Sequence, residues 1–232
     1  MGIKRETLLQ VEDVSKKYRQ GHEEITALHK VSLALHKGEL LAIVGPSGSG
    51  KTTLSHIIGG LITPQTGSIT FRGMPLKKQS DKQLSQYRNK KIGFVFQNYS
   101  LIPYYSALEN VVMPLVVAGV PRSRRRQRAE VLLRAVGLEK RMHQRADTLS
   151  GGERQRVSIA RALAHGPEII IADEPTGSLD SVRGGEVMTI LEKLCHSQGI
   201  AVLMVTHDLS LAQRADRVVH IRDGRIEKED RK

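Results

Sequence analysis

Leu40-Leu41-Ala42-Ile43-Val44-Gly45-Pro46-Ser47-Gly48-Ser49-Gly50-Lys51-Thr52-Thr53 decides the fold. Apolar residues 40–44, closed by a glycine, have the pattern of a buried parallel strand. The next eight residues, Gly45 to Thr52, satisfy G-x-x-x-x-G-K-[ST], and a helix opens at Thr52, Thr53 and Leu54. Glycines let the backbone wrap with its amides pointing inward, and the helix dipole adds positive potential. Lys51 is placed to neutralise terminal phosphate charge, and Thr52 to offer a hydroxyl to magnesium. The stretch predicts a nucleoside triphosphate site.

Outward from it, apolar runs at 169–172 and 200–206 repeat the buried-strand pattern. Between them, residues 181–198 carry Val182, Val187, Ile190, Leu191 and Leu194 close to one helical face before Gly199 stops the helix. This alternation is βαβ construction. Residues 8–14, 31–35 and 68–71 alternate apolar with polar instead, which predicts an antiparallel β layer attached to the parallel core. The middle, 99–149, is expected to be helical. Ser106 to Glu109 has capping-box spacing, and Ala129, Leu132, Leu133 and Val136 fall at helical intervals before Gly137. The expected fold is α/β: a P-loop core with a mixed, mainly parallel sheet, an antiparallel β subdomain and a helical insertion. Residues 1–232 are expected to form one domain, with the core and β layer over about 5–98 and 150–225. The helical part, about 99–149, runs on into the helix that starts at Ser150.

With 36 Lys and Arg against 24 Asp and Glu, the 232 residues carry a net charge of +12. The 39% of hydrophobic residues is enough to bury a sizeable core. A single cysteine, Cys195, excludes an internal disulfide framework or a multi-cysteine metal cluster, fits a reducing cytosol, and is expected to be inert packing. Residues 1–6 lead straight into the first strand pattern with no apolar leader. The stretch 52–71, free of Asp, Glu, Lys and Arg, is too broken by Gly, Pro and polar residues to span a bilayer, so a soluble or peripheral chain is expected. His22, His29, His36, His56, His143, His165, His196 and His220 show no metal-ligand spacing and are expected at the surface or packed. Arg122, Arg124, Arg125, Arg126 and Arg128 read first as a solvated helix face, with anionic lipid next. Nucleic acid comes last, because no aromatics interleave to stack bases.

Two further constellations carry chemistry. The strand at 169–172 delivers Asp173 and Glu174 at its C-terminal end, where one carboxylate can support magnesium and its neighbour can polarise an attacking water. Leu149-Ser150-Gly151-Gly152-Glu153 combines capping-box spacing with two glycines that leave amides uncovered, which reads either as plain helix capping or as a second anion-binding helix end. One triphosphate needs one cradle. A second one points to a site completed by another molecule.

The order Gly45 to Thr52, Gln97, Leu149 to Arg156, Asp173-Glu174-Pro175-Thr176-Gly177-Ser178-Leu179-Asp180 and Thr206-His207-Asp208 closely resembles the ATP-binding cassette of ABC transporters, from Tyr18 to about Gly224. Residues 94–97, 108–111 and 173–180 are similar to the lipoprotein-releasing and macrolide-exporting branch. The resemblance implies ATP and Mg2+ as cofactors and hydrolysis to ADP and phosphate. It implies that Tyr18 stacks on adenine and that Gly45, Pro46, Ser47, Gly48, Ser49, Gly50, Lys51, Thr52 and Thr53 hold the phosphates. Thr52, Gln97 and Asp173 support the metal, and the catalytic residues implied are Glu174 as general base, Gln97 also touching the attacking water, His207 contacting the γ-phosphate and holding the attacking geometry, and Lys51. Ser150, Gly151 and Gly152 would face the ATP of a second copy, with Asp180 at the seam of a head-to-tail homodimer. Also implied are an integral membrane permease, whose coupling helix Phe94, Phe96, Tyr99, Tyr104 and Tyr105 would grip (ordinary core packing being the alternative for these aromatics), a periplasmic adaptor in the exporting branch, and a location on the cytoplasmic membrane face. Arg145-Ala146-Asp147-Thr148 and Ser178 depart from the family pattern without removing a catalytic group. The rival readings are a same-branch cassette regulating cell-wall remodelling at division and a DNA-maintenance ATPase. The second is disfavoured by the absence of long heptads between Lys51 and Ser150.

Overall fold

Strands β1 (Thr7–Gln20) and β2 (Glu23–His36) pair antiparallel with Leu9 opposite Leu35 and Val11 opposite Leu33, so a period of two turns one row of buried side chains to the same face. The computed structural model describes residues 5–21, 23–76 and 79–232; His22 lies outside them. A third strand, β4 (Thr66–Phe71), continues the face by setting Ile69 opposite Val11, and β5 (Met74–Pro75) ends a four-stranded sheet of order β2-β1-β4-β5. This is the expected antiparallel layer.

The second sheet holds β3 (Leu40–Val44), β6 (Ile92–Phe96), β7 (Ile169–Asp173), β8 (Ala201–Thr206), β9 (Arg217–Arg222) and β10 (Arg225–Arg231), in the order β10-β9-β3-β8-β7-β6. Strands β9 to β6 run parallel in that order, and β10 folds back antiparallel at the edge. Both faces of its centre are covered, which is why β3 and β8 are uninterrupted apolar runs rather than alternating ones. Leu41, Ile43, Ile171, Leu203 and Val205 pack towards the antiparallel layer and α1 (Lys51–Ile58). Ala42, Val44, Ile170, Ala172, Val202 and Met204 pack towards the helices on the other side.

Those helices are α3 (Ala107–Val117), α4 (Arg122–Ala135), α5 (Gly151–Ala162) and α6 (Ser181–Gln198). The sequence signals predicted all four: Ser106 and Ser150 close capping boxes with Glu109 and Glu153, and Gly199 ends α6 in the left-handed conformation. Helix α2 (Asp81–Lys91) and the short α7 (Leu209–Ala212) were not expected. In α2 only Tyr87 is buried, so no apolar periodicity marks it, although Ser80 and Gln83 make the same capping box.

Candidate active site

Registry across the parallel sheet gathers the site. Phe96 lies opposite Asp173, Asp173 opposite Val205, and Val44 opposite Thr206. The residues that follow, Gln97, Glu174, His207 and Gly45, therefore emerge side by side at the C-terminal edge, where open α/β sheets bind ligands.

Between β3 and α1 the loop 45–50 is closed by contact from behind. A Cβ on Gly45 would stand 2.0 Å from the Ile221 carbonyl oxygen, and one on Gly50, whose φ is 102°, would stand 2.3 Å from that of Ala27. No side chain fits either place. Gly224, in the turn between β9 and β10, donates its N–H to the Ser49 carbonyl at 3.0 Å and accepts from His29 N–H at 2.8 Å. Pro46, Ser47 and Gly48 are left exposed or half-exposed at the outer rim. Lys51 is buried, its ammonium donating to the carbonyls of Gly45 and Pro46, each at 2.8 Å. With Thr52, Thr53, Gly48, Gly50, Ala27 and Tyr18 it lines a cleft of about 320 Å³. Tyr18, on β1, presents a ring that is 39% exposed, with the Lys16 ammonium 5.5 Å from its centre.

Asp173 ends β7 half-buried, and burial raises its carboxyl above the ordinary aspartate range. The nearby His56, a hydrogen bond from Thr52 and the charge of Lys51 oppose that rise, while Glu174 adds to it. Glu174 has φ +48°, a left-handed conformation uncommon outside glycine. Its N–H is tied to the Val205 carbonyl at 2.9 Å. Its carboxylate accepts from His207 Nδ1 at 2.8 Å and from the Thr206 hydroxyl at 3.4 Å, and Thr206 Oγ1 in turn accepts from Asp208 N–H. The carboxylate is thus fixed from two sides while His207 stays largely exposed. Gln97 lies against Gly177: a Cβ there would be 2.9 Å from its amide nitrogen.

The start of α5 lies elsewhere. Ser150 accepts from Glu153 N–H at 3.3 Å while the Glu153 carboxylate accepts from Ser150 N–H at 2.8 Å, a bond that holds Glu153 below the usual carboxylate range. A Cβ on Gly151 would stand 2.9 Å from the Tyr99 hydroxyl and 3.2 Å from Leu179, and one on Gly152 would stand 3.2 Å from Arg183. Ser150, Gly151 and Gly152 are therefore beside the 178–183 segment and do not line the cleft of Tyr18 and Lys51. Asp180 caps α6 by accepting from Arg183 N–H at 2.9 Å and is exposed.

Sequence reasoning missed Thr206 as a partner of Glu174, His56 as a neighbour of Asp173, and the turn at Asp223-Gly224 that braces the phosphate loop. The two-residue turn signal at Asp223-Gly224 could have found the last. Of the aromatics assigned to docking, Phe94 is a correction. It is partly buried and packs against Gly59 and Ile171, because strand alternation turns it towards α1. Phe96 stacks on it with centroids 5.5 Å apart. Tyr104 is 75% exposed and Tyr105 half as much, whereas Tyr99 packs under Arg154. Cys195 is buried in the core, as expected of inert packing.

A sequence model of the ABC transporter family matches residues 28–177. The chain belongs to that family. It is an ABC ATPase domain, with the α/β architecture of the solved cassettes. It is 46% identical over 224 residues to the macrolide export ATP-binding/permease protein MacB 2 of Aeromonas hydrophila, covering 97% of this chain and 34% of that protein. This chain thus spans about a third of the exporter's length. It is 48% identical over 220 residues to an ABC transporter ATP-binding protein of Thermotoga maritima, covering 94% of it. Among solved structures it resembles the dimeric cassette MJ0796 in a post-hydrolysis state bound to ADP and Pi. There the TM-score is 0.89 at 41% identity, with 97% of this chain and 98% of that one covered. The cassette cbiO1 of Clostridium perfringens, part of the transporter complex cbiONQ, gives a TM-score of 0.88 at 30% identity, over 97% of this chain and 89% of that one.

Proposed function

We propose that this chain is the ATP-hydrolysing subunit of a transporter whose membrane permease is a separate polypeptide, working at the cytoplasmic membrane face. The observation that carries the reading is the single sheet edge on which Lys51, Thr52, Asp173, Glu174 and His207 meet. ATP would lie with adenine on Tyr18 and its phosphates over Gly45 to Thr53. Lys51 would exchange its two loop carbonyls for phosphate oxygens, a stronger, charge-assisted contact. Thr52, Gln97 and Asp173 would hold Mg2+: hydroxyl, amide and carboxylate oxygens are the hard donors it prefers, and the Thr52 to Asp173 hydrogen bond already draws two of them together. When bound, the ion neutralises phosphate charge and orients the transferred group. Glu174 would take the proton of the attacking water, its carboxylate aimed by His207 and Thr206, and His207, still largely exposed, would reach the γ-phosphate.

The Ser150 to Gly152 turn has no nucleotide to hold within its own chain. A second copy, related by a two-fold axis, would bring that turn onto the first copy's ATP and set Asp180 at the seam, so that two ATP molecules are shared. The dimeric cassette among its relatives supports this arrangement. ATP then acts by its higher affinity for the closed pair, and hydrolysis reopens it. The helical segment 99–149 would receive the permease through Tyr104, Tyr105 and Ile102, which are exposed beside α3. The macrolide-exporting relative favours an exporter or a lipid- or lipoprotein-extruding system over a regulator of cell-wall remodelling. Among the described residues no helix is long and apolar enough to cross a membrane. Glu174→Gln tests the reading. Nucleotide binding should stay within about twofold, dimers should accumulate with ATP on size exclusion, and kcat should fall by roughly 10³ or more. Turnover at the unmodified rate would remove Glu174 as the base.

A further inference from the structure

Gln155 lies on the second turn of α5, completely buried, and its amide Nε2 donates to the Pro175 carbonyl at 2.7 Å. Its Oε1 is buried too and meets no donor. A buried amide that satisfies only its donor side carries the cost of the orphaned acceptor, so packing alone does not account for it. The bond it does make falls one residue beyond Glu174. That glutamate is held at φ +48° immediately before a proline, and a following proline disfavours helical backbone in the residue ahead of it. Such a conformation persists only where its surroundings over-determine it. The Val205 carbonyl, bonded to Glu174 N–H, fixes one side of the peptide, and Gln155 fixes the other.

The same helix is fastened to the second catalytic loop. The Arg154 guanidinium sits 5.2 Å from the Tyr99 ring centre, and Arg161 donates to the carbonyls of Tyr99, at 2.9 Å, and Ser100. Both residues follow Gln97. Helix α5 therefore grips the two loops that carry Gln97 and Glu174, and its first turn is Ser150 to Gly152.

We propose that Gln155 is a positioning residue that ties the α5 helix, whose first turn would hold the second copy's ATP, to the backbone that aims Glu174 within its own chain. Occupancy of one shared site is thereby reported to the base of the other. The inference rests on the head-to-tail reading above.

Two variants test it, read by steady-state ATP hydrolysis of the full chain. Gln155→Met keeps the volume and removes both the donor and the orphaned acceptor. It should melt close to the unsubstituted protein, because the orphaned acceptor it removes offsets the Pro175 carbonyl it leaves without a donor, and it should bind ATP with unchanged affinity. Its kcat should fall about tenfold or more, with the Hill coefficient for ATP dropping towards 1. Gln155→Glu cannot donate when ionised, but a protonated carboxyl in the same place can donate O–H to the Pro175 carbonyl, and burial favours that form. Its activity relative to the unsubstituted protein should therefore rise as pH is lowered from 8 to 6, whereas the Gln155→Met ratio stays flat. A merely structural role predicts a lower melting temperature and no pH-dependent rescue. A folded Gln155→Met turning over at the full rate, or a Gln155→Glu ratio flat with pH, overturns the assignment. The two readings separate cleanly: if Glu174→Gln is inactive and Gln155→Met is normal, only the Gln155 assignment falls. If Glu174→Gln turns over normally, the base falls with it.

Discussion

Two turns of the same geometry make a controlled comparison. Arg72-Gly73, joining β4 to β5, has φ values of 49° and 76°; Asp223-Gly224, joining β9 to β10, has 48° and 72°. Both are tight hairpin turns that need left-handed backbone at both central positions. A Cβ on Gly73 would have nothing within 4 Å, whereas one on Gly224 would stand 2.7 Å from the Ala27 carbonyl oxygen and 3.0 Å from Leu28 Cα. Gly73→Ala should therefore cost only the left-handed penalty of an L-residue, about 1–2 kcal/mol. Gly224→Ala carries that penalty plus the displacement of backbone on β2, a further 1–3 kcal/mol or so by analogy with overpacking. For a chain of this length, each kcal/mol lowers the melting temperature by about 2–4 °C, so the two variants should differ by roughly 2–12 °C. The second difference is functional. Gly224 donates to the Ser49 carbonyl, so a displaced turn loosens the loop that would hold phosphate. Gly224→Ala should raise the Kd for ATP, measured by titration below the melting range, while Gly73→Ala leaves it unchanged. Equal melting losses and equal affinities in the two variants would show that the hairpin does not brace the loop.

Removing the Lys51 ammonium with Lys51→Ala should raise the Kd for ATP by about 10–100-fold, the worth of one or two hydrogen bonds to a charged group, with little change in melting temperature. Isothermal titration checks it, and unchanged affinity counts against the phosphate assignment. The α5 cap has a pH signature. Glu153 is held below the usual carboxylate range, first by the Ser150 N–H, so its folded value is the lower one. Its stabilisation is complete above the ordinary glutamate value of about 4.3 and is lost as pH falls through the depressed folded value. Amide exchange at the first turn of α5, corrected for intrinsic rates, should accelerate below about pH 4 while β3 and β8 stay protected. Uniform protection across that range would contradict the cap.

What could be read in advance follows from how local the signals are. Buried parallel strands announce themselves as unbroken apolar runs, and residues 40–44 and 201–206 are buried throughout. Capping boxes at Ser106 and Ser150 are written within four residues, so both helix starts were legible. Helix α2 buries a single side chain and leaves no period to detect. Strand β10 is rich in Arg, Lys, Glu and Asp because it lies at the solvent-facing edge of the sheet, so it shows no apolar run. Around the site, motif residues were legible because each has a fixed position in a short pattern. Thr206, His56 and Gln155 meet their partners 32, 117 and 20 residues away, and only the folded sheet registers bring those pairs together. Phe94 was assigned to docking for the same reason: only the folded sheet shows that its face of β6 turns towards Gly59 and Ile171.

Where the chain departs from good folding practice locates its function independently of any motif. Among the described residues, five buried polar side-chain atoms lack a partner: Ser49 Oγ, and four on α5, namely Arg154 Nε, Gln155 Oε1, Arg156 Nε and Ser158 Oγ. Buried polar groups are nearly always paired, because each unpaired one costs about 1–3 kcal/mol. The cost is borne only by loop 45–50 and the helix that starts at Ser150, the two segments whose sequence reads as anion-binding. The sheet between them has an uninterrupted apolar centre. A helix shaped by stability alone would carry leucine or methionine at several of these places. The polar lining of α5 is a standing cost that packing does not explain, and it falls on the helix that the head-to-tail reading requires to respond when a second chain's nucleotide reaches its first turn.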